Sequence, residues 1–314
     1  MAQLTRKSWL IAKIESSEGT DPTPVGGSNA VLTTNVEVTP IEADNVQSPT
    51  LLGFLGNSTR GTVLANKRVS ISFDVELSGS GAAGTAPAYG PLLKSCGLSE
   101  TVSSSTSVTY APVSASFSSC TIYCFYDLVR HKITGARGTV TFNLVAGQIA
   151  TASFQFVGLY NAPDSTDMSG TFTVANQAAG LEVNDTNVTT ATVHGQTSQR
   201  IESFDLALNN ELFYKETASS KNSLIVNRAP GGTVVLEAPD TTSVDWFAKA
   251  VATATGATDI ILGGTGGNIV RIKADQTDIA GVTYGDTGGV RHLSIPYLAL
   301  PSTAGNNEMS LIFT

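Results

Sequence analysis

The sequence predicts a mainly β fold of the α+β type, arranged as two tandem modules that each carry one flanking helix. Polar and apolar residues alternate in stretches such as Arg68-Val-Ser-Ile-Ser-Phe-Asp-Val-Glu-Leu77, and this alternation is typical of half-buried strands. Only two stretches have helical character, and each follows such a strand in its own half of the chain. The order of elements thus repeats, and 314 residues suffice for about two domains.

The elements of the first half are justified by alternation and by the glycines and prolines that interrupt it. In order, they are strands at residues 9–14, 30–39 and 68–77, a helical stretch at 89–98, a strand pair at 121–126 and 132–134, and a hairpin of 138–144 and 149–157.

The second half repeats this order. Its expected elements are strands at residues 201–208 and 232–238, a helical stretch at 243–253, a strand pair at 259–262 and 268–273, and strands at 290–298 and 309–313. In the helical stretch, Val244, Phe247, Ala248 and Val251 share one face at spacings of three and four, so this helix is expected to pack against a sheet.

The repeat suggests three segments. Residues 1–160 form the first module and residues 200–314 the second. Residues 161–199 are rich in Ser, Thr and Asn and are interpreted as a structured linker with an extra hairpin, whose strand-like fragments lie at 171–174 and 189–193.

The net charge of −8 limits the possible functions. A sequence-specific DNA-binding protein needs a basic face to neutralise phosphate, so this composition argues against one. The same acidity suits a surface past which DNA moves without binding.

The three cysteines, Cys96, Cys120 and Cys124, are expected to be buried free thiols. Cys120 and Cys124 lie four residues apart on a strand, too far apart for a disulfide, and no histidine lies nearby to complete a metal site. This usage fits assembly in a reducing cytosol. Neither a secretory signal nor an apolar run of the ~20 residues that a membrane helix requires is expected.

One motif resembles a cofactor site. Gly79-Ser-Gly81-Ala-Ala-Gly84 matches the dinucleotide-binding pattern GxGxxG. The strand before it alternates, whereas a Rossmann strand is apolar throughout, and prolines at 87 and 91 interrupt the stretch that follows. The motif is therefore interpreted as a strand-to-helix connection.

The remaining motifs do not indicate chemistry either. The glycine-rich runs at 263–267 and 285–289 are interpreted as turns. No acid, base and nucleophile can be grouped around the three histidines, so the sequence predicts no enzyme, no cofactor and no metal site.

A long polar stretch at residues 40–66 contains one apolar patch: Leu51, Leu52, Phe54 and Leu55. Long loops in compact domains are usually functional, and an exposed apolar patch is a liability on a monomer. These four residues are candidates for contact with a neighbouring subunit or ring. The alternative is that they fold onto the core of their own chain.

The stretch from Gly79 to Glu100, Gly79-Ser-Gly-Ala-Ala-Gly-Thr-Ala-Pro-Ala-Tyr-Gly-Pro-Leu-Leu-Lys-Ser-Cys-Gly-Leu-Ser-Glu100, resembles tail tube proteins of long-tailed bacteriophages, especially siphophages related to Mu-like phages. Glu18-Gly-Thr-Asp-Pro-Thr-Pro and Gly135-Ala-Arg-Gly138 support the resemblance. It implies tail-tube-type β-sandwich or barrel modules in rings that stack into a hollow virion tail.

The resemblance also implies partners. Six modules per ring are usual in this family, so two modules per chain imply trimeric, pseudo-sixfold rings, and one module implies hexameric rings. Other tail proteins (tape measure, tail terminator and distal tail protein) are implied partners, DNA passes without specific binding, and no membrane is involved. The residues expected to face the lumen are Thr139, Thr141, Asn143, Thr151, Ser153 and Gln155.

A β-sandwich binding module, such as a tail-tip adhesin or a carbohydrate-binding protein, is the alternative function. A glycan site would require exposed aromatic side chains beside carboxylates. Of the two tryptophans, Trp9 lies near the terminus and Trp246 is expected to pack inward.

Overall fold

The computed structural model describes residues 4, 6–50, 53, 55, 61–166 and 171–314. Within these ranges the chain is mainly β, with two short helices, α1 (Gly90–Ser95) and α2 (Trp246–Val251). The strands are β1 (Ser8–Ile14), β2 (Ala30–Val31), β3 (Thr34–Val46), β4 (Val63–Glu76), β5 (Leu98–Ser103), β6 (Ser107–Pro112), β7 (Cys120–Tyr126), β8 (Val129–Val145), β9 (Thr151–Tyr160), β10 (Val188–Thr192), β11 (Ile201–Ala207), β12 (Asn210–Glu216), β13 (Lys221–Arg228), β14 (Gly231–Glu237), β15 (Gly256–Leu262), β16 (Val270–Ile279), β17 (Thr283–Thr287), β18 (Val290–Ala299) and β19 (Ser310–Phe313).

One antiparallel sheet of eight strands crosses both halves of the chain, and we call it the long sheet. Its strand order is β3-β4-β9-β8-β11-β14-β18-β17. The two halves meet where β8 pairs with β11, from Thr141↔Ala207 to Val145↔Ser203. The prediction of a mainly β fold is thus confirmed, and the two halves share one sheet.

The other strands flank the long sheet. In the first half, β7 pairs with β1 and with the early part of β8, whereas the later part of β8 pairs with β11. Between these parts β8 has a bulge at Gly135, which has φ +59° beside a register shift. In the second half, β15 pairs with β10 and β16, and β16 continues through β19 to β6 and β5. A bulge of this kind bends a strand and lets it serve two sheets.

The strands of the two halves pair in the same pattern. The matching pairs of strands are β1–β7 with β10–β15, β3–β4 with β11–β14, β4–β9 with β14–β18, β7–β8 with β15–β16, and β8–β9 with β17–β18. Each half places its helix between the strand that matches β4 and the strand that matches β7. The division into domains at residues 160 and 200 remains a prediction.

The core follows from the alternation noted in the sequence. Along β4, the buried positions Val69, Ile71, Phe73 and Val75 face inward and the residues between them face outward. Phe73 stacks with Phe154, at 5.6 Å between ring centroids. Burying a side chain of this size contributes about 1.5–3 kcal/mol, so the core side fixes the register of the sheet.

Some expectations about elements were wrong. Residues 171–174 form no strand, and residues 132–134 and 138–144 belong to the single strand β8. The run at 285–289 is only partly a turn, because its first three residues lie in β17. The run at 263–267 does lie between β15 and β16, as expected for a turn. Neither of the helices in the described ranges is long and apolar enough to cross a membrane.

Candidate functional site: a polar sheet face with two open edges

The six residues predicted to face the lumen lie on one face of the long sheet. They form three cross-strand pairs between β8 and β9: Thr139↔Gln155, Thr141↔Ser153 and Asn143↔Thr151. The Asn143 Nδ2 atom donates to the Ser153 Oγ atom at 3.0 Å. The residues between them, such as Val140 and Phe154, are buried on the opposite face. The hairpin therefore has a polar face, and its orientation toward a lumen remains a prediction.

The polar face continues across both halves and carries several acids. Glu37 on β3 pairs through Ser72 with Gln155, and Asp205 on β11 pairs with Asn143. Asp74 and Glu76 on β4 lie beside Ser153 and Thr151. Burial raises the pKa of Asp205, although its Oδ2 atom accepts a hydrogen bond from the Thr233 N–H at 3.2 Å.

The basic residue on the β4 part of this face is paired with acids. The Arg68 guanidinium lies 2.6 Å from Glu42 Oε1 and 3.7 Å from Asp44 Oδ1. A hydrogen bond from the Ser70 hydroxyl and the contact with Arg68 lower the pKa of the Glu42 carboxyl. Because the cation is already neutralised, the acids dominate the field of this part of the face.

The long sheet ends in two strands that each have one partner among the described residues. β3 pairs with β4, and β17 pairs with β18. All five residues of β17 are exposed, including the ring of Tyr284 at 61% of its full area. An open edge presents unpaired backbone N–H and C=O groups, so it is a ready site for pairing with another strand.

The register shows which positions of the halves correspond. In the first half, Ser153 pairs with Asp74 on β4 and with Thr141 on β8. In the second half, Ser294 pairs with Val235 on β14 and with Thr283 on β17. The corresponding positions are Ser153 and Ser294, Asp74 and Val235, and Thr141 and Thr283. Residues 283–287 therefore take the place of 141–145, the five residues of β8 that pair with β11. On the other side of the junction, β3 takes the place of β11.

A pair of strand segments projects from each half between corresponding strands, and we call the two projections the first arm (residues 40–50 and 61–69) and the second arm (β12–β13). The first arm continues β3 and β4, whereas the second arm forms a separate two-stranded sheet. The second arm lies on the first half, where the Asn210 N–H donates to Thr139 Oγ1 at 3.1 Å and Arg137 donates to the Ser223 carbonyl. An open groove of about 630 Å³ separates the arms and is lined by Glu42, Arg68, Val157 and Phe213.

The four residues predicted to contact a neighbour lie in the sequence between β3 and β4. Leu51, Leu52 and Phe54 lie outside the described residues. Leu55 is described and its side chain is fully exposed. Their role in contact between subunits remains a prediction.

The motif that resembles a dinucleotide site joins the two halves. The Gly79 N–H donates to Asn268 Oδ1 at 2.8 Å, and the Gly81 N–H donates to the Gly267 carbonyl at 2.9 Å. A Cβ atom at Gly79 would lie 2.1 Å from the Gly267 carbonyl oxygen. Gly79 and Gly267 are thus needed for close backbone approach, and the interpretation of the motif as a connection agrees with this geometry.

The cysteines are buried and unpaired. Burial raises the pKa of Cys120 and of Cys124 to about 12 in each case, so neither thiol is prepared to act as a nucleophile. Among the described residues, no group of three or more His, Cys, Asp or Glu side chains could hold a metal ion. The aromatic side chain of Trp246 is buried, as expected.

The comparisons with known proteins bear on the identity of the chain. A family model described as phage tail tube protein matches residues 5–299. A search of curated proteins found no match. The matched region covers nearly the whole chain and includes both halves of the long sheet. The chain therefore belongs to the phage tail tube protein family, whose members are structural proteins of the virion tail.

Proposed function

We propose that this chain is the repeating subunit of stacked rings that form the hollow tail tube through which phage DNA passes, with three copies in each ring. The observation that carries the proposal is the junction of β8 with β11 inside the chain. The open edges, β17 and β3, occupy the corresponding positions at the two ends of the long sheet. A junction of the same kind between copies would join the edges and close the sheet into a barrel.

The register of β8 with β11 within the chain predicts the register of β17 with β3 of the next copy. Thr141 pairs with Ala207 and Asn143 with Asp205. Thr283 and Gly285 occupy the places of Thr141 and Asn143, and Thr39 and Glu37 occupy those of Ala207 and Asp205. We therefore expect Thr283 of one copy to lie opposite Thr39 of the next, and Gly285 opposite Glu37. Val36 and Val38 are half-buried and already pack on the core, so this pairing would continue the apolar side of the sheet.

The polar face supports its placement in the lumen. In a closed barrel one face lines the interior and the other packs outward. The apolar face of the long sheet is covered by the core of the chain, which leaves the face with Glu37, Asp74, Glu76 and Asp205 for the lumen. An acidic wall repels phosphate, so DNA can slide along it without binding. Assembly takes place in the host cytoplasm, and the tape measure, tail terminator and distal tail proteins are the proposed neighbours in the virion.

The experiment is a disulfide between copies in the proposed register. Glu37→Cys with Gly285→Cys should give cross-linked species that end at three chains on a non-reducing gel, and electron microscopy should show hollow rings or tubes. The native thiols are buried, so their background is low.

Two controls sharpen this test. Asn143→Cys with Asp205→Cys should form the same bond within one chain, because these residues are paired directly. Glu37→Cys with Tyr284→Cys places the thiols on opposite faces and should not cross-link. Species that end at six chains would contradict the trimeric ring. Chains that remain monomers at high concentration, even with tail-initiating proteins added, would favour a binding module.

A further inference from the structure

We propose that the first arm of each copy lies across the second half of the neighbouring copy, in the way that the second arm lies across the first half of its own chain. This proposal rests on the ring described above, because it assigns a place to the arm within that ring. The partner is a second copy of this chain, and the surface that it offers is the end of the long sheet around Leu298.

The contact of the second arm supplies the geometry. The Asn210 Nδ2 atom donates to the carbonyls of Cys96 and Gly138, at 2.7 and 2.9 Å. The Tyr214 hydroxyl donates to the Lys67 carbonyl at 3.0 Å. Arg137 is buried and pairs with Glu18 while it holds the arm through Ser223. The arm thus crosses the middle of β8 and the neighbouring ends of β9 and β4 on the polar face.

The two arms leave the long sheet at corresponding positions. The first arm begins after the pair Thr39↔Ser70, and the second begins after the pair Ala207↔Gly231. The second arm turns toward the strand that adjoins β11, which is β8. The strand that would adjoin β3 in the ring is β17 of the neighbour. The same turn therefore brings the first arm across β17, β18 and β14 of that copy.

The receiving surface can be named from the register. Arg137 pairs with Val157 in the first half, and Asp278 pairs with Leu298 in the second. Val157 is half-buried beside the second arm, whereas Leu298 keeps 46% of its area exposed. Leu298 is thus an exposed apolar side chain on the polar face of the sheet. Its counterpart in the first half, Val157, is partly covered by the second arm.

The first arm carries the complementary apolar surface. Ile41, Val46, Val63 and Leu64 are all exposed, and Val63 keeps 65% of its area open to solvent. The last pairs of its ribbon are Asn45↔Leu64 and Val46↔Val63. Successive side chains of a strand point to opposite faces, so Val46 and Val63 share one face of the ribbon. A two-stranded ribbon is marginally stable alone in water, so burial of that face on a neighbour would stabilise both the arm and the ring.

One basic residue of the arm, Lys67, would meet an acid on this surface. Counted from the pairs at the base of the arms, Lys67 corresponds to Arg228, which donates to the Val113 carbonyl of the first half and to Glu308 of the second half. Lys67 is exposed, and the receiving surface has Asp278 where the first half has Arg137. The Lys67 ammonium and the Asp278 carboxylate carry opposite charges, which would favour the register that brings them together.

The test measures the accessibility of a thiol at Leu298. In the Leu298→Cys variant, a maleimide reagent should label the free chain readily and label the assembled rings at least about tenfold more slowly, as expected for a covered site that opens rarely. A Val251→Cys variant is the matched control. Val251 on α2 is exposed at 83% and lies outside the proposed contact, so its labelling should be equal in both states.

A second variant shows whether the arm is the cover. Replacing residues 43–67 by Asn-Gly would join the paired residues Glu42 and Arg68 through a short hairpin turn, and rings of this variant should label Leu298→Cys as fast as the free chain does. Val63→Ser with Leu64→Ser keeps the ribbon and should restore part of the labelling if the shortened arm prevents assembly. Equal labelling of rings and free chains, or protection in rings with the shortened arm, would overturn the proposal. Absence of the Glu37–Gly285 cross-link would instead contradict the ring itself.

Discussion

Gly79→Ala tests the contact between the two glycine loops. The new methyl group would lie 2.1 Å from the Gly267 carbonyl oxygen and 2.9 Å from the Asn268 Cα atom, and both are backbone atoms that cannot rotate away. Overpacking of this kind costs about 1–3 kcal/mol, and each hydrogen bond lost between the loops costs about 0.5–1.5 kcal/mol. We expect the free energy of unfolding to fall by about 2–5 kcal/mol.

Urea unfolding followed by circular dichroism, with a thermal scan beside it, measures this loss. For a chain of this size the midpoint of thermal unfolding should fall by roughly 4–10 °C. The loops join the two halves of the chain, so the variant should also broaden the transition or divide it in two as the halves lose their coupling.

Gly264→Ala is the matched control for this variant. It lies in the same loop as Gly267, and its nearest neighbour would be a Thr189 methyl group at 4.0 Å. Its stability should stay within about 0.5 kcal/mol of the parent chain. If Gly79→Ala is equally stable, the loops do not meet as described, and the account of the GxGxxG motif as a contact between halves is wrong.

Two further predictions concern ionisable groups. The Arg130 guanidinium lowers the pKa of the Asp164 carboxyl to about 2, so this pair contributes stability above the ordinary value of 3.8 and loses it as pH falls toward 2. Asp164 is partly exposed, so the loss should stay under about 1 kcal/mol, and acid unfolding curves of Asp164→Asn should lack it. The native chain should resist thiol labelling at Cys96, Cys120 and Cys124, which are buried, and should react at all three sites in urea. Rapid labelling of the folded chain would contradict their burial.

The sequence predicted those strands in which alternation coincides with a buried face. β4, β9 and β14 each place apolar residues inward at every second position, and that pattern is visible in the residues alone. One of the two edge strands gave no such signal. β17 is exposed on both sides, and Gly285 within it reads as a turn residue. Its strand conformation depends on pairing with β18, which no local pattern records.

The opposite error arose at residues 171–174. Thr-Phe-Thr-Val alternates as a strand would, but Phe172 packs on Trp9, with 4.5 Å between the ring centroids, and the segment forms no ladder with another strand. Alternation states which side of a segment is apolar, and it does not supply a partner strand. The second arm was missed for a related reason, because β12 buries only one of its residues.

The candidate surface was predictable only in part. The polar face of β8 and β9 follows from alternation within each strand, yet the register across their turn had to come from the structure, which pairs Asn143 with Thr151. The correspondence of β8 with β17 was hidden, since it rests on the pairing of Ser153 and Ser294 with their neighbours. Sequence identity between the halves is too weak to reveal it.

The two junctions of the proposed ring differ in a way that suits assembly. Within the chain, Leu144 of β8 lies opposite the buried Phe204, so this junction is apolar on its core side. At the open edge, Asp286 takes the place of Leu144 and is exposed. A charged side chain on an edge strand opposes pairing with a stray strand. In the proposed ring, the closing contact would be weaker than the internal one, and the ring would close where several contacts, including those of the first arm, act together.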